Sequence, residues 1–154
     1  MILRAALLGL TFLQLNVMNA PPKPKSYIVL ATDQVTVPAN KKTTTELRFQ
    51  VIDGFHVNSH TPKSELLIPT NLKLTPAEGI KAGAPEYPKG TEYAFSFEPG
   101  EKLDVYTGTF SIKLPVEVPP GEHTLEGVLH YQACDHAACY PPKSLPIKVM
   151  VTAK

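Results

Sequence analysis

Thr124-Leu125-Glu126-Gly127-Val128-Leu129-His130-Tyr131-Gln132 puts Leu125, Gly127, Leu129 and Tyr131 on one face of an extended chain. Thr124, Glu126, Val128, His130 and Gln132 fall on the other. Successive strand side chains point to opposite faces, so this period of two predicts a half-buried β-strand. The same period recurs along the chain. Thr45, Leu47, Phe49 and Val51 alternate with Glu46, Arg48 and Gln50. Tyr106, Gly108, Phe110, Ile112 and Leu114 alternate with Val105, Thr107, Thr109, Ser111 and Lys113, which reads as one strand. Leu145, Ile147, Val149 and Val151 alternate with Pro146, Lys148 and Met150. Shorter strands are expected at 27–31, 34–37, 72–75 and 91–97.

Sixteen prolines and nine glycines punctuate these runs, as in Asp53-Gly54, Pro99-Gly100 and Pro119-Pro120-Gly121, and leave no room for a long helix. Some eight short strands separated by turns predict an all-β protein, an antiparallel sandwich of immunoglobulin-like architecture. No repeat, low-complexity tract or second domain is visible.

The 154 residues suffice for one domain with its own core. Residues 1–20 read as a signal peptide. Arg4 precedes an apolar run from Ala5 to Leu15, too short and too polar at its end to anchor convincingly as a membrane span. Met18 before Ala20, and Pro21 after it, make a poor cleavage site. The mature domain is then expected over 21–154, opening on the extended Pro21-Pro22-Lys23-Pro24-Lys25. Without Arg4, the basic residues equal the 14 acidic ones. A near-zero charge with no basic run argues against nucleic acid or an anionic membrane as partner. Export would place the protein in an oxidising compartment, where disulfides persist.

The strand that opened the argument runs into Ala133-Cys134-Asp135-His136-Ala137-Ala138-Cys139-Tyr140-Pro141-Pro142, which holds both cysteines of the chain. It reads as a hairpin tip in which Cys134 and Cys139 face each other. Opposed residues of a non-hydrogen-bonded antiparallel pair lie about 4.5 Å apart at Cα, so a disulfide is feasible. Such a bond could be a staple, although closing so short a loop contributes only about 2 kcal/mol. It could equally be a bond for exchange with another protein. Both readings stay open on the residues alone. There is no Cys-x-x-Cys and no helix N-terminus to lower a thiol pKa. Asp135 should disfavour a thiolate at Cys134, and His136 could offset it or act as a base.

His130, Cys134, His136 and Cys139 also have the composition of a zinc or copper site. On an extended strand, however, His130 and Cys134 are about 13 Å apart. No metal and no cofactor are therefore expected. His56 and His60 read as ordinary loop or strand-end residues.

Tyr131-Gln132-Ala133-Cys134…Cys139-Tyr140-Pro141-Pro142 resembles the active-site hairpin of the N-terminal periplasmic domain of DsbD-type thiol:disulfide interchange proteins. Asp53-Gly54-Phe55-His56-Val57, Tyr87-Pro88-Lys89-Gly90 and Tyr106-Thr107-Gly108…Leu114-Pro115-Val116 follow in the order that family shows. The resemblance spans roughly 35 to 151. It implies an immunoglobulin-like fold and a periplasmic thiol–disulfide relay, a component of protein-disulfide reductase chemistry. Such a domain takes electrons from a membrane-embedded partner and reduces thioredoxin-like proteins.

Carried over, Cys139 is the exchanging sulfur and Cys134 the resolving one. Asp135, His136, Tyr131 and Tyr140 surround the pair in sequence. The family's aromatic cap loop corresponds to 93–97, with Phe95 a candidate ring and Phe97 read instead as core. The loop between the cysteines is one residue shorter than in the best-known members. The chain lacks the membrane and thioredoxin-like domains of full-length members, so its electron source is expected on a separate protein. A monomer is expected. The competing reading is a non-catalytic binding module locked by a structural disulfide.

Overall fold

A computed structural model of the chain describes residues 25–95 and 98–154. The predicted signal peptide, most of the proline-rich leader and the ring of Phe97 lie outside the described residues. Those described form β1 (Ile28–Leu30), β2 (Gln34–Val37), β3 (Thr43–Val51), β4 (His56–Asn58), β5 (Asn71–Leu74) and β6 (Lys81–Ala82). Then follow β7 (Thr91–Phe95), β8 (Glu98–Tyr106), β9 (Thr109–Glu117), β10 (Gly121–Tyr131), β11 (Ala133–Cys134) and β12 (Lys143–Ala153). No helix occurs among these residues, and none is therefore long and apolar enough to cross a membrane.

The strands build three four-stranded sheets, ordered β1-β3-β9-β6, β2-β12-β10-β5 and β11-β4-β8-β7. Pairing is antiparallel throughout except that β2 runs parallel to β12. The period-two faces do what alternation requires. Leu47, Phe49 and Val51 of β3 are buried with Ile112 and Leu114 of β9. Leu125, Leu129 and Tyr131 of β10, with Ile147, Val149 and Val151 of β12, complete one core. Burying each large apolar side chain contributes roughly 1.5–3 kcal/mol. Gly127 keeps its place on the buried face because β5 passes close. A Cβ there would sit 2.6 Å from the Lys73 carbonyl oxygen.

The single strand expected across 105–114 is two strands in different sheets. The break comes at Thr107-Gly108, where Gly108 has φ 57° and its carbonyl accepts the Val51 amide at 2.8 Å. The alternation continues across the break, with Tyr106 and Phe110 stacked at 4.5 Å, so the pattern alone hides it. The short β4, β6 and β11 and the long β8 leave no clear trace in the sequence pattern, because two or three residues cannot display a period and Pro99-Gly100 follow the first residue of β8.

Candidate functional site

β10 pairs with β12 along its whole length, from Gly121 opposite Ala153 to Tyr131 opposite Lys143. At Gln132 the chain leaves that sheet, and β11 pairs instead with β4, Ala133 opposite Val57 and Cys134 opposite His56. Gln132 fixes this transfer. Its carbonyl accepts the Asn58 amide, and its Oε1 accepts from Asn58 Nδ2 and the Ile68 amide at 3.0 and 3.1 Å. Its Nε2 donates to the Tyr140 carbonyl at 3.2 Å. The hairpin tip is thus tied from both sides.

Cys134 and Cys139 are joined by a disulfide with their Cα atoms 3.9 Å apart. The Tyr140 amide donates to the Ala133 carbonyl at 2.8 Å and the Asp135 amide to the Ala138 carbonyl at 2.9 Å. These bonds flank the cysteines, so the pair is of the non-hydrogen-bonded type that the sequence pattern anticipated. The two sulfur-bearing residues differ sharply in environment: Cys134 is 0% exposed, whereas Cys139 is exposed.

Asp135 organises the tip. Its Oδ1 accepts the amides of Ala137 and Ala138 at 2.7 and 2.8 Å, an Asx-type turn. Its Oδ2 accepts the Tyr140 hydroxyl. The Tyr140 bond, then the amides, hold the Asp135 carboxyl down at a pKa of about 2, and the same bond raises the Tyr140 phenol. The carboxylate expected to bear on the Cys134 thiolate is therefore engaged with the turn itself. His136 is exposed on the tip.

Tyr140 stacks on Tyr27 at 5.2 Å, and Phe55 lies 4.7 Å from Tyr27 and 6.0 Å from Tyr140. Lys143 Nζ sits 4.8 Å above the Tyr27 ring. Tyr131 is buried on the core face, and its hydroxyl accepts the Tyr27 amide at 3.0 Å. It is thus linked to the cysteine tip through Tyr27, on which Tyr140 stacks. Tyr27 and Phe55 were not read as site residues. Both were visible as aromatics at strand ends, but it takes the pairing of β1 with β3 for Tyr27, and of β4 with β11 for Phe55, to bring them to the tip.

On the side of Cys134 away from Cys139 lies His56, an ordinary strand-end residue by sequence alone. It is indeed the first residue of a strand, yet it is buried opposite Cys134. Tyr93 packs on its ring at 4.0 Å and Phe95 at 6.1 Å, the two aromatics meeting edge-on at 5.6 Å. Both belong to the predicted cap segment, which thus reaches the residue beside Cys134. Burial lowers the His56 pKa to about 4, and the negative charge of Asp135 pulls weakly the other way.

The four residues with the composition of a metal site do not converge. His130 points outward from β10 and bonds Ser144 Oγ through Nδ1 at 2.8 Å, while Cys134 is buried in the disulfide. Among the described residues no group of three or more His, Cys, Asp or Glu is placed to hold an ion.

The model of the family described as thiol:disulfide interchange protein DsbD, N-terminal, matches residues 28–150. Among solved structures, the reduced DsbD N-terminal domain of Neisseria meningitidis is 24% identical over 72% of this chain and 79% of its own, with a TM-score of 0.44. The structure of the complex between the DsbD and PilB N-terminal domains of the same organism matches at 23% identity. It covers 84% of this chain and 88% of that one, with a TM-score of 0.50. No curated protein matches.

Proposed function

The chain belongs to the family of DsbD N-terminal domains, and on that premise we propose that Cys134 and Cys139 relay reducing equivalents to thioredoxin-like proteins outside the cytoplasm. In the dithiol form, Cys139 thiolate attacks a partner disulfide, and the first partner sulfur leaves as thiolate. Cys134 then attacks Cys139 Sγ and releases the second partner sulfur. Two electrons pass to the partner, and the Cys134–Cys139 bond is re-formed.

The observation that carries this reading is the contrast in exposure within the disulfide. Exchange needs an incoming sulfur to reach one member of the pair, and Cys139 is the accessible one. Cys134, buried behind it, suits the resolving role. The engagement of Asp135 with the tip speaks against a staple, because the turn already has its own hydrogen bonds. The complex of the Neisseria DsbD domain with the PilB N-terminal domain favours a folded protein as partner. Residues 1–20 would direct export to the periplasm, and a membrane-embedded electron-transfer partner would supply the electrons.

Equilibration against a graded thiol redox buffer tests the proposal. An exchanging disulfide should titrate above about −300 mV; a structural bridge, and with it a binding module, would sit below that value.

A further inference from the structure

Cys134 is 0% exposed, yet a resolving cysteine must give up its proton as it attacks. His56 is the side chain placed to receive it. The Asn58 amide bonds the Gln132 carbonyl two residues along the β4–β11 ladder, which makes His56 and Cys134 a hydrogen-bonded pair, roughly 5.5 Å apart at Cα. Directly opposed residues project from the same face of a sheet. Cys134 also opposes Cys139, so His56, Cys134 and Cys139 form one row across three chain segments. The imidazole stands at the end of that row away from the exposed sulfur.

His56 is only 4% exposed, and its buried Nε2 has no hydrogen-bond partner among the described residues. Native structures rarely leave a buried polar atom in that condition. The titratable groups around it are Cys134, Asp135 and Tyr93. Asp135 is occupied by Ala137, Ala138 and Tyr140, and Tyr93 offers an aromatic ring.

We propose that His56 Nε2 accepts the Cys134 proton as Cys134 closes on Cys139, which makes His56 the proton acceptor of the resolving step. This rests on the exchange reading above. The Cys134 S–H bond breaks and its proton goes to Nε2. The sulfur electron pair forms the bond to Cys139 Sγ, and the partner sulfur leaves as thiolate. In the reverse direction the imidazolium returns its proton to the departing Cys134. Burial keeps the imidazole neutral at ordinary pH, so its lone pair is available; the same burial makes it a weak base, so the proton passes only as the Cys134 sulfur commits to Cys139, and the Asp135 charge eases the positive form.

The reduced full chain is mixed with dithiobis(nitrobenzoate), whose thiolate product is coloured and leaves unprotonated. Attack by Cys139 releases a first equivalent and closure by Cys134 a second. His56→Phe keeps a ring against Tyr93 and Phe95, and His56→Gln keeps a hydrogen-bonding amide; neither can take the proton. In both, the first phase should be unchanged and the second slowed by on the order of a hundredfold. A second phase as fast as wild type in a folded variant overturns the proposal. Should neither variant fold, the nitrogen shifts of His56 in the wild-type protein decide. They should move between the disulfide and dithiol forms while those of His123 stay fixed; an unmoved His56 refutes the assignment. A wild-type protein that never releases the second equivalent would instead overturn the exchange reading itself.

Discussion

Cys134 and Cys139 share one bond but not one environment, since Cys134 is 0% exposed and Cys139 is exposed at the hairpin tip. The difference arises from the fold. At Gln132 the chain changes sheets, so Cys134 is laid against β4, while the returning Cys139 pairs, among the described residues, with Cys134 alone. A pair built this way is asymmetric before any partner arrives.

The bond from Tyr140 to Asp135 sets the acid behaviour of the tip. Tyr140→Phe should raise the Asp135 carboxyl from about 2 toward the usual carboxylate range. In the wild-type protein this depressed pKa contributes stability that is present above the unfolded value and lost as pH falls through the folded one. The window therefore runs from about pH 4 down to pH 2. Carboxyl-carbon NMR titration of both proteins checks it, and an unshifted Asp135 in the variant would contradict the assignment.

His56 titrates in a separate window. Its folded pKa is about 4, below the unfolded 6.5, so the unfolded chain takes up the proton first. Stability is full above pH 6.5 and declines as pH falls toward 4, by on the order of 3 kcal/mol from this group. Denaturant midpoints of the oxidised protein across that range should fall for wild type and fall much less for His56→Phe. Parallel curves for the two would place the acid sensitivity elsewhere.

Gln132 tethers the tip to the 58–68 segment through Asn58 and Ile68. Gln132→Ala leaves Asn58, itself 0% exposed, without that acceptor and should cost about 1–3 kcal/mol. The Ile68 amide should also exchange faster with solvent. Unchanged stability and exchange would mean that the tether contributes nothing.

The sandwich was legible because long strands such as β3, β10 and β12 bury one face each, and burial on one face writes itself as a period of two. The cysteine pair was legible for a related reason, since a short tip brings near neighbours together whatever surrounds it. His56, Tyr27 and Phe55 were not. Their places depend on long-range pairing, of β4 with β11 and of β1 with β3, which no local pattern records. The break at Gly108 was missed because the alternation of Tyr106 and Phe110 continues through a turn between two sheets.

The unequal roles of the two sulfurs are tested most directly by trapping. Cys134→Ser and Cys139→Ser proteins, exported in cells and acid-quenched, are run on non-reducing gels with adducts identified by mass spectrometry. Neither substitution should cost much more than the roughly 2 kcal/mol of so short a loop. Cys134→Ser should accumulate mixed disulfides with thioredoxin-like proteins, because Cys139 remains exposed to form them and nothing resolves them, while Cys139→Ser should accumulate few. Equal trapping by both, or trapping by Cys139→Ser alone, would contradict the account.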